Sequence, residues 1–309
     1  MKIVFMGTPD FSVETLKQII AAGHEVSLVV TQPDRPRGRG KKPSYSPVKE
    51  FAVEHNIPCF QPEKIRDESC IEILERENAD IFVVVAFGQI LPQRILDIPK
   101  YGCMNVHASL LPAYRGAAPI QWSVINGDPE TGVTTMRMDA GMDTGDILLQ
   151  ERIRIAPDET GGSLFDKLAA AGGALCVKTL EQIQDGSIHP IRQNHEAATY
   201  TRMISKKDGQ IDFSLPARQI ECLIRGMNPW PSAYTYIDQK ILKLWNADVI
   251  IPKEQYEPGE VFDVTKDSFC VAAGKDALKI LSLQLEGKKR MDTADFLRGF
   301  SLKNGDRLG

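Results

Sequence analysis

Ile81-Phe82-Val83-Val84-Val85-Ala86 is the stretch that decides the fold. It is continuous, apolar and rich in β-branched residues. A strand that alternates polar with apolar has one wet face; one that does not is covered on both, as parallel strands are. With Phe87 it forms an unbroken apolar run of seven residues, the longest in the chain, where a membrane span needs about 20. Upstream, Lys2 to Met6 and Glu25 to Thr31 read as further strands, with a helix from about Phe11 to Ala22 between them and Gly23 as its stop. Pro47 to Glu54 and Cys70 to Glu77 read as helices. Downstream, Gly102 to His107 is a strand, Thr134 to Met138 and Ile147 to Ile155 are strands flanking a Gly-rich loop, and Leu164 to Ile183 is a helix. Strands alternating with helices predict parallel pairing and a layered α/β fold.

The pattern changes after residue 189. His189 to Thr201 is polar with little periodicity and reads as a linker. Beyond it come a helix at about Ala217 to Arg225 and five short strands: Ala233 to Ile237, Ile241 to Ala247, Glu260 to Val264, Phe269 to Ala272 and Leu278 to Leu285. These predict a small barrel. The expected domains are residues 1–189, a linker over 190–205 and a second domain over 206–309. A length of 309 residues suits two domains of ordinary globular composition, with 42% hydrophobic and 25% charged residues.

The N-terminal apolar run is too short for a secretory segment, so the expectation is a cytoplasmic protein away from membranes. Six cysteines are scattered with no pair closer than eleven residues. That spacing fits reduced core cysteines and offers neither a zinc site nor a disulfide framework. No cluster suggests any other metal.

The net charge of -4 hides its distribution. Residues 1–189 carry 19 basic and 25 acidic groups, while residues 206–309 carry 16 and 15. Inside the acidic half, Arg35, Arg37, Arg39, Lys41 and Lys42 place five cations in eight positions. A charge run is most often a solvated surface. This one lies in a long Pro/Gly-rich loop, and such loops inside compact domains are often functional. Phosphate contact is the natural use of its arginines.

Gly7-Thr8-Pro9-Asp10-Phe11 follows the first strand but holds one glycine, where a dinucleotide fingerprint needs three. A tight strand-to-helix turn explains it better. Asn105-Val106-His107 ends a strand, so the amide and imidazole project to the same side. The carboxyl ends of strands in open α/β sheets are where ligands bind. There an amide can hold an oxyanion and an imidazole can move a proton. Asp139-Ala140-Gly141-Met142-Asp143-Thr144-Gly145-Asp146 reads as a solvated turn or as the source of a carboxylate for His107; calcium binding is a third option, opposed by the absence of EF-hand spacing. Ser109-Leu110-Leu111-Pro112 reads as simple packing or as a pocket wall.

Taken together these segments resemble the bacterial-type methionyl-tRNA formyltransferases. The resemblance also rests on Thr31-Gln32-Pro33-Asp34-Arg35-Pro36, Gly38-Arg39-Gly40-Lys41-Lys42, Ser46-Pro47-Val48-Lys49, Arg115-Gly116-Ala117-Ala118-Pro119-Ile120-Gln121 and Asn228-Pro229-Trp230-Pro231. It spans nearly the whole chain. Arg37 and Gly226-Met227 depart from the pattern, away from the chemistry. The resemblance implies a Rossmann-like formyl-transfer domain with a parallel-rich sheet and an OB-fold-like C-terminal barrel. It implies 10-formyltetrahydrofolate as formyl donor and methionyl initiator tRNA as acceptor. Asn105, His107 and Asp143 would be catalytic. Ser109, Leu110, Leu111 and Pro112, with Gln89, Ile90 and Leu91, would line the folate pocket. Arg35, Arg37, Arg39, Lys41 and Lys42 would reach the acceptor stem, with Lys206, Lys207, Lys288, Lys289 and Arg290 holding more of the tRNA. A monomer without metal is expected.

Three rivals remain at this point. One keeps the chemistry and transfers the formyl group to a small-molecule amine. Another is a non-catalytic RNA-binding protein, and the third a nicotinamide-dependent dehydrogenase, which the missing glycines oppose.

Overall fold

The computed structural model describes residues 1–37 and 42–309, and of 36, 37, 42 and 43 the backbone alone. Two compact units emerge. The first comprises Met1–Pro119, Thr131–Arg154 and Phe165–Thr201; the second comprises Ile120–Glu130, Ile155–Leu164 and Arg202–Gly309.

In chain order the first elements are β1 (Lys2–Gly7), α1 (Asp10–Ala21), β2 (Glu25–Val30), β3 (Arg35–Arg37), β4 (Lys42–Ser44), α2 (Pro47–Glu54), β5 (Cys59–Phe60) and α3 (Glu68–Arg76). Then follow β6 (Ile81–Val85), α4 (Gln93–Leu96), β7 (Cys103–His107), β8 (Arg115–Gly116), α5 (Pro119–Ile125), β9 (Glu130–Arg137), β10 (Ile147–Arg154), α6 (Gly161–Asp185) and β11 (Tyr200–Thr201). Seven strands form one sheet in the order β10-β9-β7-β6-β1-β2-β5. From β5 to β7 every pair is parallel; β9 then runs antiparallel to β7. The sheet is therefore parallel-rich and Rossmann-like, with a reversal that strand-by-strand reading does not reveal. β6 is buried at all five positions, as its composition requires.

Among the helices of this unit, α2 starts where the chemistry says it should. Ser46 caps α2 by accepting from the Lys49 N–H at 3.1 Å, and Pro47 takes the first helical position. Val4, Met6, Phe82, Val84 and Cys103 pack on one face with Ile71 and Leu74 of α3 and Ile95 of α4. On the other face α6 comes close enough to β7 that a Cβ on Gly172 would stand 3.1 Å from Val106 Cγ1. Burial pushes the Cys103 and Cys176 thiols well above the usual range, as expected of unreactive core cysteines.

The basic loop is not featureless. β3 and β4 pair antiparallel, Arg35 opposite Ser44 and Arg37 opposite Lys42.

The second unit holds α7 (Ala217–Gly226), β12 (Ala233–Ile237), β13 (Lys240–Ile250), β14 (Val261–Phe262), β15 (Cys270–Ala272), β16 (Ala277–Leu285), β17 (Met291–Asp292) and α8 (Thr293–Gly299). Its sheet is antiparallel in the order β12-β13-β16-β15-β14, with β17 also on β16. It curls as a half-barrel of the OB-like kind. The five expected strands are present; β17, two residues long, is an addition too short to show a period. α7 buries Ala217, Ile220 and Ile224, and with them a paired Arg225 and Glu221, while Arg225 Nη1 donates to the Glu159 carbonyl at 2.9 Å.

Candidate active site

β7 carries Cys103, Asn105 and His107 on one face. Cys103 lies in the core beneath α4, its thiol 3.8 Å from the Leu96 carbonyl. Two and four residues on, the same face emerges at the strand's carboxyl end. His107 remains largely buried there, and its Nε2 lies 2.9 Å from the Tyr114 carbonyl. A carbonyl only accepts, so Nε2 bears a proton and donates it. That leaves Nδ1 facing Asp143 Oδ2 at 3.7 Å. Asn105 Nδ2 stands 3.5 Å from the other oxygen, Oδ1. Both separations exceed a good hydrogen bond, so the three side chains form an open cluster. Apo catalytic contacts of this looseness commonly tighten around substrate.

Asp143 itself is held firmly, from its backbone. It sits at φ +53°, in the left-handed region. Its Oδ2 accepts the Gly116 N–H at 2.8 Å. The loop around it is shaped by a neighbour: Asp139 Oδ1 accepts from the Gly141 N–H at 3.0 Å and from Thr144 Oγ1 at 2.6 Å. Of the acids in this loop, Asp139 is thus the turn former and Asp143 the one presented to His107.

Behind the loop lies a network that sequence reading missed. Gln193 Nε2 donates to the Asp143 carbonyl at 2.9 Å and to the Gly145 carbonyl at 2.6 Å. Its Oε1 accepts from Arg115 Nη2 at 2.7 Å and Nε at 3.2 Å. Arg115 is only 1% exposed. Its other donors meet Tyr200 Oη at 3.2 Å and His195 Nδ1 at 3.1 Å. Among the described residues no carboxylate is a hydrogen-bond partner of this buried guanidinium, so it depends on Gln193, Tyr200 and His195 as acceptors. β11 pairs with β8, Tyr200 beside Arg115 and Thr201 beside Gly116. Gly116 has φ +100°, and a Cβ there would lie 2.5 Å from the Thr201 carbonyl oxygen. Only glycine fits that approach. Arg115-Gly116 was visible as a motif without a role. Gln193 carried no signal, being one glutamine in a polar stretch.

The remaining expected residues fall in different settings. Ser109 is buried, its hydroxyl donating to the Ala113 carbonyl at 2.6 Å. Leu111 packs with Met136 and Ile147, leaving Leu110 and Pro112 half-buried. Gln89 bridges the 62–65 segment, accepting from the Ile65 N–H at 2.7 Å and donating to the Pro62 carbonyl at 3.0 Å. Leu91 is in the core, whereas Ile90 is 87% exposed. Arg35 is exposed at the base of the β3–β4 hairpin. Arg39 and Lys41 lie outside the described residues, as do the side chains of Arg37 and Lys42. In the second unit Lys206, Lys207, Lys288, Lys289 and Arg290 are all exposed. The Arg290 guanidinium lies 5.2 Å from the Trp245 ring, with Lys243 Nζ at 5.8 Å from the same ring.

Comparison with known proteins follows this division. Residues 1–180 match the profile of the formyl transferase family, and residues 203–301 that of the formyl transferase C-terminal domain. A methionyl-tRNA formyltransferase of Agathobacter rectalis is 61% identical over 305 residues, covering 99% of this chain and 98% of the relative. One from Clostridioides difficile is 49% identical over 309 residues, covering 100% of both chains. Among solved structures, a sugar 3N-formyl transferase, WlaRD, crystallised with dTDP and 5-N-formyl-THF, aligns with TM-score 0.66 at 22% identity, covering 94% of this chain and 99% of its own. HypX from Aquifex aeolicus in complex with tetrahydrofolic acid aligns with TM-score 0.63 at 16% identity, covering 96% of this chain and 47% of its own. At such identities the likeness concerns the fold.

Proposed function

The chain belongs to the methionyl-tRNA formyltransferase family, and from that premise we propose that Asn105, His107 and Asp143 carry its chemistry. The enzyme formylates the α-amine of methionyl initiator tRNA, the step that prepares the initiator for protein synthesis in the cytoplasm. The donor is a formyl-folate, on our reading 10-formyltetrahydrofolate. The observation that carries the assignment is the convergence of Asn105 and His107 on one carboxylate at the carboxyl end of β7.

The amine attacks the formyl carbon, and a tetrahedral oxyanion forms. The Asn105 amide donates to that oxygen. His107 Nδ1, when protonated, supplies a second donor; its Nε2–H stays on the Tyr114 carbonyl and fixes the ring plane. Asp143 receives the proton that the amine sheds and returns it, directly or through one water, to the departing folate nitrogen. Gly116 N–H and Gln193 keep the carboxylate in place during this transfer. Leu110, Pro112 and exposed Ile90 offer apolar surface to the folate. The hairpin cations and Lys206, Lys207, Lys288, Lys289 and Arg290 contact phosphates. Residues 1–189, together with the 190–201 segment that belongs to the same compact unit, serve as catalytic domain, and residues 206–309 as tRNA-binding domain.

The test is a formyl-transfer assay with 10-formyltetrahydrofolate and three acceptors: methionyl initiator tRNA, methionyl elongator tRNA and free methionine. Formylation of the initiator alone is expected. Asn105→Ala and His107→Ala should each lower the chemical rate by ~10²–10³ with tRNA affinity retained. Full turnover by both variants would end the site assignment. Folate binding without transfer to any of the three would move the acceptor to a small amine.

A further inference from the structure

A second crevice opens one strand away from the catalytic cluster. It lies at the carboxyl ends of β1, β2 and β6, and its volume is about 520 Å³. Such a size suits a small molecule or one nucleotide. Its place is the topological switch point of the sheet, since β1 has β6 on one side and β2 on the other. The formyl-transfer chemistry uses β7 and the β9–β10 loop and leaves this crevice unassigned.

The residues around it exclude the usual occupant of such a position. Asp34, placed to hold a ribose, is engaged by Lys49 Nζ at 2.6 Å and Gln61 Nε2 at 2.8 Å. Those two partners hold its carboxyl below the usual range. The first turn of α1 carries the Asp10 carboxylate, which repels a pyrophosphate. A glycine-lined approach is also missing, because Gly7 is the one glycine of the turn and its open side is filled by Ser12, whose Cβ would stand 2.7 Å from a Cβ there. A dinucleotide does not fit here.

What remains suits an unpaired base. Tyr45, 47% exposed, stands at the rim, with Lys49 Nζ 3.9 Å from its ring centroid. Pro33 and Pro47 give apolar walls. Gln32 fixes its amide by donating from Nε2 to the Phe87 carbonyl at 3.2 Å, and its Oε1 has no hydrogen bond among the described residues. Thr8 sits beside it. Aromatic platform, amide edge and apolar walls are what a nucleobase requires. Arg35 lies on the hairpin side of the rim, with Asp10 on the α1 side, and from Arg35 the rim continues into the β3–β4 hairpin, where Arg35 pairs with Ser44. An acceptor whose backbone follows the hairpin is thereby led into the crevice. A methionyl thioether would need no such polar edge.

We propose that this crevice holds an unpaired base at the 3′ end of the acceptor RNA, stacked on Tyr45 and read by Gln32. The proposal rests on the RNA-acceptor reading above and deepens it.

The test uses the full chain and a 3′-terminal 2-aminopurine, placed both in methionyl initiator tRNA and in a short single-stranded RNA. Binding should quench the fluorophore. Tyr45→Ala should abolish the quench and raise KM for the tRNA about tenfold or more, the scale of one lost stack. KM for the folate donor should stay within about twofold, a split that misfolding would not produce. Tyr45→Phe, which keeps the ring, should restore both quench and KM. Unchanged quench and unchanged tRNA KM in Tyr45→Ala would overturn the proposal. If wild type quenches the short RNA through Tyr45 but formylates no tRNA, the crevice stands and the acceptor assignment falls.

Discussion

Gln193→Leu tests the network behind Asp143. The change nearly conserves volume but removes an amide with four hydrogen-bond contacts: two accepted from Arg115 and two donated to the Asp143 and Gly145 carbonyls. A hydrogen bond to a charged partner contributes about 1.5–3 kcal/mol, and each orphaned carbonyl adds about 1. The sum is about 3.5–5 kcal/mol. For a unit of this size each kcal/mol lowers Tm by about 2–4 °C, so a fall on the order of 10 °C is expected. Much of that cost is the buried guanidinium left short of an acceptor. Arg115→Met in the same chain removes the orphan. The double variant should therefore lose less than the sum of the single variants, with a coupling of about 1.5–3 kcal/mol. Denaturant titration of the four proteins measures it. All three variants should also show slower single-turnover formylation, because Asp143 loses its rear support. Additivity within about 0.5 kcal/mol, or wild-type turnover in Gln193→Leu, would refute the reasoning.

Gly116→Ala should be costly for a different reason. Its methyl meets the Thr201 carbonyl, and alanine at φ +100° is strained by about 1–2 kcal/mol before any clash. The displaced N–H releases Asp143, so turnover should fall by at least about tenfold; equal turnover and Tm would sink the role of Gly116. Asp208 is held well below the usual carboxylate range, first by Arg202 and then by the Ser205 N–H. A depressed carboxylate stabilises the fold above its unfolded pKa of ~3.9 and loses that contribution as pH falls through its lower native value. Asp208→Asn should thus cost stability at neutral pH, modestly since Arg202 is mostly exposed. The deficit should shrink below about pH 4, and a pH-independent deficit would contradict the pairing. Affinity for tRNA should fall linearly on a log-log plot against salt, and Lys288→Ala and Lys289→Ala should each shallow the slope by about one. Slopes unchanged in both would remove these lysines from the interface.

Some of this architecture was legible because periodicity and chemistry agree locally. Ile81–Val85 is apolar without alternation, and the strand it forms is buried throughout. Asn105 and His107 are two residues apart on a strand, which forces them to one side. Ser46-Pro47 announces a helix start, and α2 begins there. The rest depends on partners distant in sequence. Spacing could not tell Asp139 from Asp143; the resemblance singled out Asp143, and the hydrogen bonds show what Asp139 does instead. The β3–β4 hairpin hides because Pro36 and Pro43 face each other across it, and proline gives no strand signal. The reversal at β9 lies in pairing, which no single strand encodes. Gln193 and Tyr200 acquire meaning only beside Arg115.

That last group bears on where the chain can be cut. Residues 190–201 read as a connector, and a truncation at 189 would look natural. It would strip Arg115 of Gln193, His195 and Tyr200 and take from Gly116 the neighbouring strand β11. The shortest self-sufficient catalytic fragment therefore ends no earlier than Thr201. An exchange of C-terminal modules must therefore keep the chain through Thr201 and also supply a surface for 120–130 and 155–164, and fusions made at 189 should lose the two Gln193 supports of the acid loop whatever module they carry.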